Sequence, residues 1–106
     1  NSLKFDAYSP TYINSTSMAT FYIRNSFSIT DKGYVLSGDI FEGIISKGDI
    51  ALIPKGDTQI ELEVLGVEMV DKENRETEIG LLFALQAREH LKDLNLEGMK
   101  IQTRRS

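Results

Sequence analysis

His90 is the single histidine of the chain, and cysteine is absent. Catalysis of the Ser-His-Asp kind needs a nucleophile held against the imidazole and an acid that orients it. No Gly-x-Ser-x-Gly turn is present, and His90 sits in the charged run Arg88-Glu89-His90-Leu91-Lys92, which reads as a surface position. Without thiolates there is no disulfide framework, iron–sulfur ligand set, Cys-type zinc site or cysteine nucleophile. Glu61 and Glu63 lie two apart and share one face of a strand. Glycosidase chemistry would need a substrate cleft between its carboxylates, so they read as the solvent face opposite Ile60, Leu62 and Val64. The run Asp71-Lys72-Glu73-Asn74-Arg75-Glu76 resembles a calcium loop, yet it lacks the central Gly and carries two cations. Gly33 and Gly38 have the Gly-x₄-Gly spacing of a phosphate loop, but Asp39 stands where Lys is required and Ile40 where Ser or Thr is required. A carboxylate there repels a phosphate. The residues thus point to no catalytic group, no metal and no cofactor, GTP included, and the expectation is a non-enzymatic protein.

The elements that would carry such residues are β-like. A chain of 106 residues, 41% hydrophobic and 26% charged, suits one folded domain. No apolar run reaches the roughly 20 residues that cross a bilayer. Residues 1–17 are rich in Ser, Thr, Asn and Tyr without periodicity, and Met18 precedes the first patterned segment. Residues 1–18 read as a flexible arm, either a tag before a native start at Met18 or a natural linker. From Ala19, Phe21, Ile23, Phe27 and Ile29 alternate with polar residues, the period of a half-buried strand. Asp31-Lys32-Gly33 is a turn, and Tyr34–Phe41 a second strand in which Gly38 marks a bulge or close backbone approach. Ile50–Ile53 is a third strand. Gln59–Val70 is the longest, with a change of apolar phase beside Gly66 that suggests a bulge. Ile79–Ala87 is nearly all apolar, as in a strand covered on both faces. A helical turn around His90–Leu94, a closing strand at Met99–Gln102 and a frayed tail at 103–106 complete the chain. Short strands with Gly-containing turns every 8–12 residues indicate a small all-β domain.

Several of these segments together resemble the β-barrel that forms domain II of translational GTPases of the elongation factor Tu type. Phe27-Ser28-Ile29, the turn, and Gly33-Tyr34-Val35-Leu36-Ser37-Gly38-Asp39-Ile40 are similar to the family's Phe-x-Ile, turn, Gly-x-Val-x-x-Gly and aliphatic pattern. Glu42-Gly43, Lys47-Gly48-Asp49, Leu65-Gly66-Val67-Glu68-Met69, Ile79-Gly80-Leu81-Leu82 and Leu96-x-Gly98-Met99 follow in the family's order. The resemblance covers about residues 19–102 and implies an antiparallel barrel of six strands, closed or nearly so, in a cytoplasmic translation-type protein. Its interior is expected to include Phe21, Ile23, Phe27, Ile29, Val35, Ile40, Leu52, Ile60, Leu62, Val67, Leu81, Phe83 and Leu85. In the family this domain adjoins a GTPase and, in tRNA carriers, helps hold the aminoacylated tRNA end. Of the tRNA-contacting positions followed, the acidic pair becomes Arg24 and Asn25. The aromatic and Arg become Val70 and Asp71, and an Asn becomes Glu78. Phe27 is kept.

Charge points the same way. The net charge is −4, and residues 61–78 hold seven carboxylates against Lys72 and Arg75, a local −5. Nucleic-acid affinity comes largely from Lys and Arg neutralising phosphates, which this stretch opposes. It reads either as a patch for a basic protein partner or as a solvated, like-charged edge that resists pairing. Tyr8, Tyr12, Tyr22 and Tyr34 could stack on bases, although Tyr22 and Tyr34, near a shared turn, read rather as a pair across the hairpin. The expected function is a binding module that docks a protein partner on a rim of Phe27, Lys32, Val70, Asp71 and Glu78. RNA binding, as in a ribosome-associated factor, is the alternative.

Overall fold

The alternating segments form seven strands among the described residues, which are 18–71, 73 and 76–106 of a computed structural model. They are β1 (Ala19–Ile29), β2 (Gly33–Glu42), β3 (Ile50–Lys55), β4 (Thr58–Glu63), β5 (Gly66–Asp71), β6 (Thr77–Phe83) and β7 (Lys100–Arg104). One short helix, α1 (Ala87–Leu91), lies between β6 and β7. The strands pair antiparallel in one sheet of order β4-β3-β7-β1-β2-β6-β5. The all-β class holds; the expected six strands are corrected to seven, and the single sheet they form is not closed.

The correction originates at Val64 and Leu65. The single long strand expected over 59–70 is broken there into β4, bonded to β3, and β5, bonded to β6. These halves are the two edges of the sheet, yet only two residues join them, so the sheet curls until its edges meet at that corner. The Val64 amide donates to the Asp49 carbonyl at 2.8 Å and the Leu65 amide to the Leu82 carbonyl at 2.7 Å, so successive amides tie the corner to both sides.

The enclosed face is the core. Phe21, Ile23, Leu36, Leu81, Phe83 and Ile101 are buried there, and α1 adds Ala87 and Leu91, four apart and therefore on one helical face. Ile40, Ile60, Leu62 and Val67 pack against this cluster as expected. Leu52 does not, because its neighbours Ala51 and Ile53 take the inward positions of β3. Leu85 is 52% exposed: β6 ends at Phe83, and the Ala87 amide then donates to the Ala84 carbonyl in a turn. The helical turn expected at 90–94 accordingly begins earlier, at Ala87. At the other terminus β7 runs to Arg104 and Thr103 is buried, so these two residues belong to the sheet rather than to a frayed tail. Of the arm expected over residues 1–18, residues 1–17 fall outside the described residues. No helix among them is long and apolar enough to cross a membrane.

A further correction concerns β1. Ile23 pairs with Gly38 and Asn25 with Ser37, so Arg24 is an extra residue bulged out of the ladder. Directly opposed residues share a face, and successive residues of a strand alternate between faces. Phe27 pairs with Val35, an odd number of residues from Gly38 on β2, so Phe27 and Ile29 lie on the face opposite Phe21 and Ile23. The bulge crosses over Gly38, where a side chain's Cβ would run into the Tyr22 carbonyl oxygen. Tyr22 therefore opposes Asp39 and Tyr34 opposes Ser28, and the two tyrosines are not a cross-strand pair.

Candidate partner-binding groove

Turned outward by the bulge, Phe27 and Ile29 form one wall of a groove of about 210 Å³ on the outer face of the sheet. Val35 of β2, Leu82 and Gly80 of β6, and Glu68, Met69 and Val70 of β5 complete its lining. Gly80 makes the depression. A Cβ there would stand 2.8 Å from Val70 Cγ2 and 3.2 Å from Val35 Cγ1, inside van der Waals contact. Val35 is buried, but it belongs to this outer cluster and not to the enclosed core. Phe27, Ile29, Val70 and Leu82 remain half-buried, their outer sides open.

Beside the groove lies a polar depression of about 340 Å³ lined by Arg24, Asp39, Glu76, Thr77 and Glu78, one cation against three carboxylates. Arg24 Nε donates to Asp39 Oδ2 at 2.6 Å, and its guanidinium stands 5.1 Å from the centre of the Tyr22 ring. The hydrogen bond and charge of Asp39 hold the Arg24 pKa above its ordinary value, with Tyr22 and Glu78 adding smaller attractions. Arg24 thus serves both as the bulge residue and as the cation of this rim.

Two of the five expected rim residues, Phe27 and Val70, meet in the groove. Glu78 opposes Val70 across the β5–β6 ladder and faces the neighbouring depression, and Asp71 follows at the exposed end of β5. Lys32 is not with them. It lies in the β1–β2 turn, where its amide donates to the Ile29 carbonyl, beside the Tyr34–Phe83 end of the β2–β6 ladder. Glu78 lies beyond the other end, at Gly38–Ile79, about 13 Å further along at the strand rise. The local −5 of residues 61–78 is likewise divided. Glu61 is on β4 at the opposite edge of the sheet, where it accepts from Arg104 Nη2 at 3.0 Å, while Glu68, Asp71, Glu76 and Glu78 stand near the groove.

Sequence reasoning missed Ile29, Val35, Glu68, Met69, Gly80 and Leu82 as groove residues. Their one signal is Gly38: a glycine inside a strand, paired with Ile23 just before the bulged Arg24, marks the point where the apolar phase of β1 changes face. The Gly-x₄-Gly spacing that mimics a phosphate loop lies inside β2, and its Asp39 is the partner of Arg24. His90 is exposed on α1. Among the described residues no group of three His, Asp or Glu is placed to hold a metal ion. Compared with known proteins, the chain matches no family model, no curated protein and no solved structure.

Proposed function

We propose that this chain is a non-enzymatic binding module, built on an elongation factor Tu domain II-like barrel, that docks a protein partner in the outer groove. The observation that carries this reading is the apolar lining itself. One face of an antiparallel sheet ordinarily meets water with polar side chains, whereas here Phe27, Ile29, Val35, Val70 and Leu82 cluster outside the core. Apolar surface left open in this way is characteristic of interaction sites. The carboxylates around it favour a partner that brings positive charge, and they act against a phosphate backbone.

A second reading, RNA binding, is supported by Phe27 on the groove wall, since an aromatic ring in a groove can stack on a base. Titration of ¹⁵N-labelled protein at low salt separates the two. A peptide containing Lys and Leu is expected to move the resonances of Phe27, Val70, Gly80 and Leu82, while tRNA and short RNAs leave them in place. Shifts produced by RNA at Phe27, Lys32 and residues 88–100 would replace the first reading with the second.

A further inference from the structure

β5 ends the strand order, so one of its hydrogen-bonding sides is committed to β6 and the other to no strand among the described residues. The groove lies directly inside this edge, and three of its lining residues, Glu68, Met69 and Val70, belong to β5 itself. An edge of this kind is a template for another extended chain. Charge selects among the possible occupants. Glu68 and Asp71 are exposed along β5, with Glu76 and Glu78 beside them. A second copy pairing β5 against β5 would set carboxylates against carboxylates, which is unfavourable across strands. An RNA strand would bring phosphates to the same carboxylates. A basic peptide meets neither penalty.

We infer that the occupant of this site is an extended basic peptide segment that adds antiparallel to the outer edge of β5. The inference rests on the protein-docking reading and adds the chemistry and mode of the partner. Strand alternation sets the order of its residues. A Lys or Arg opposes Asp71, a long apolar residue opposes Val70 and leans toward the hollow over Gly80, a small apolar residue opposes Met69, and a second Lys or Arg opposes Glu68. The motif is basic–long apolar–small apolar–basic, as in Lys-Leu-Val-Lys. Main-chain hydrogen bonds supply affinity in such additions, and alternate side chains supply selectivity.

The test uses the whole chain and the peptide Ac-Thr-Lys-Leu-Val-Lys-Thr-NH₂ in an NMR titration, with an acidic counterpart in which both Lys are Glu and a version N-methylated at its central amides. The basic peptide is expected to shift Phe27, Gly80 and Leu82 and to slow hydrogen exchange at alternate amides of β5. The acidic and N-methylated versions are expected to bind about tenfold more weakly or not at all. Glu68→Gln, at an exposed position, should leave the spectrum of the free protein intact and weaken binding by about two- to fivefold, the size of one exposed charge pair. Equal binding of the N-methylated peptide, with groove shifts but no protection of β5, overturns strand addition while leaving the docking reading intact. Absence of groove shifts with the basic peptide at millimolar concentration overturns the inference too, and movement of the same resonances by RNA then places the failure in the docking reading itself.

Discussion

The two halves of β1 carry the same apolar pattern and meet opposite fates. Before Arg24, Phe21 and Ile23 are fully buried in the enclosed core. After it, Phe27 and Ile29 stand outside the sheet, half-buried along a groove. One bulged residue makes the difference, because every side chain beyond an extra residue changes face. The comparison shows how a strand can serve a core and a recognition surface at once with no change of residue type. Hydrophobicity alone does not say which side of a sheet a residue will occupy.

Truncations should separate the halves by energy. Phe83→Ala, in the same enclosed core as Phe21, is expected to cost about 3–5 kcal/mol in urea unfolding, as for other buried aromatic residues. Gly80→Val comes next. Its added atoms meet Val70 and Val35, and overpacking of this kind costs about 1–3 kcal/mol. The same substitution fills the groove, so it should also abolish the peptide-induced shifts. Phe27→Ala is expected to cost only about 1 kcal/mol, because part of its surface is already in water, yet to remove most of the binding. A loss at Phe27 as large as that at Phe83 would mean that both halves of β1 serve one core.

The smallest effect belongs to the junction. Arg24→Leu removes the ion pair with Asp39 from an exposed site, and a slight drop in unfolding midpoint is expected, diminished further in 1 M salt. The sign of its pH dependence follows from the raised Arg24 pKa. A cation whose pKa is higher in the folded state contributes stability below its ordinary, unfolded value and loses it only as pH rises through the still higher folded value. The midpoint difference between wild type and Arg24→Leu should therefore be the same at pH 6 and pH 9. A difference that fades between those values would show that a group other than the guanidinium controls the junction.

Much of the fold was legible in the residues. The period-two runs, the Gly-containing turns and the first five residues of the apolar Ile79–Ala87 segment each became a strand or a strand end. The phase change beside Gly66 was also real, but it proved to be the corner between two edge strands, since a period of two cannot say which neighbour each half will bond. The groove was less legible. Phe27 and Val70 stand out by their place in a resembling pattern, but the alternation of β1 looks unbroken through Arg24 and so puts Phe27 and Ile29 in the interior, and Val35 is expected there as well. A bulge adds one residue to one strand without changing local composition, so it becomes visible only in register with the partner. Lys32 does not join Asp71 and Glu78 on one rim, because the β2–β6 ladder separates them and proximity across a sheet is set by pairing that the linear order does not contain.

The absence of cysteine from the chain permits a direct measurement of which face each half of β1 presents. Single cysteines placed by Phe27→Cys and by Ile23→Cys can be compared for their rate of reaction with a bulky thiol reagent under native conditions. With Phe27 on the outer groove and Ile23 in the enclosed core, the first is expected to react at least about tenfold faster, a difference that disappears in denaturant because only local or global opening exposes the second. Equally slow reaction of both cysteines in the folded protein would contradict the change of face at Arg24, and with it the groove.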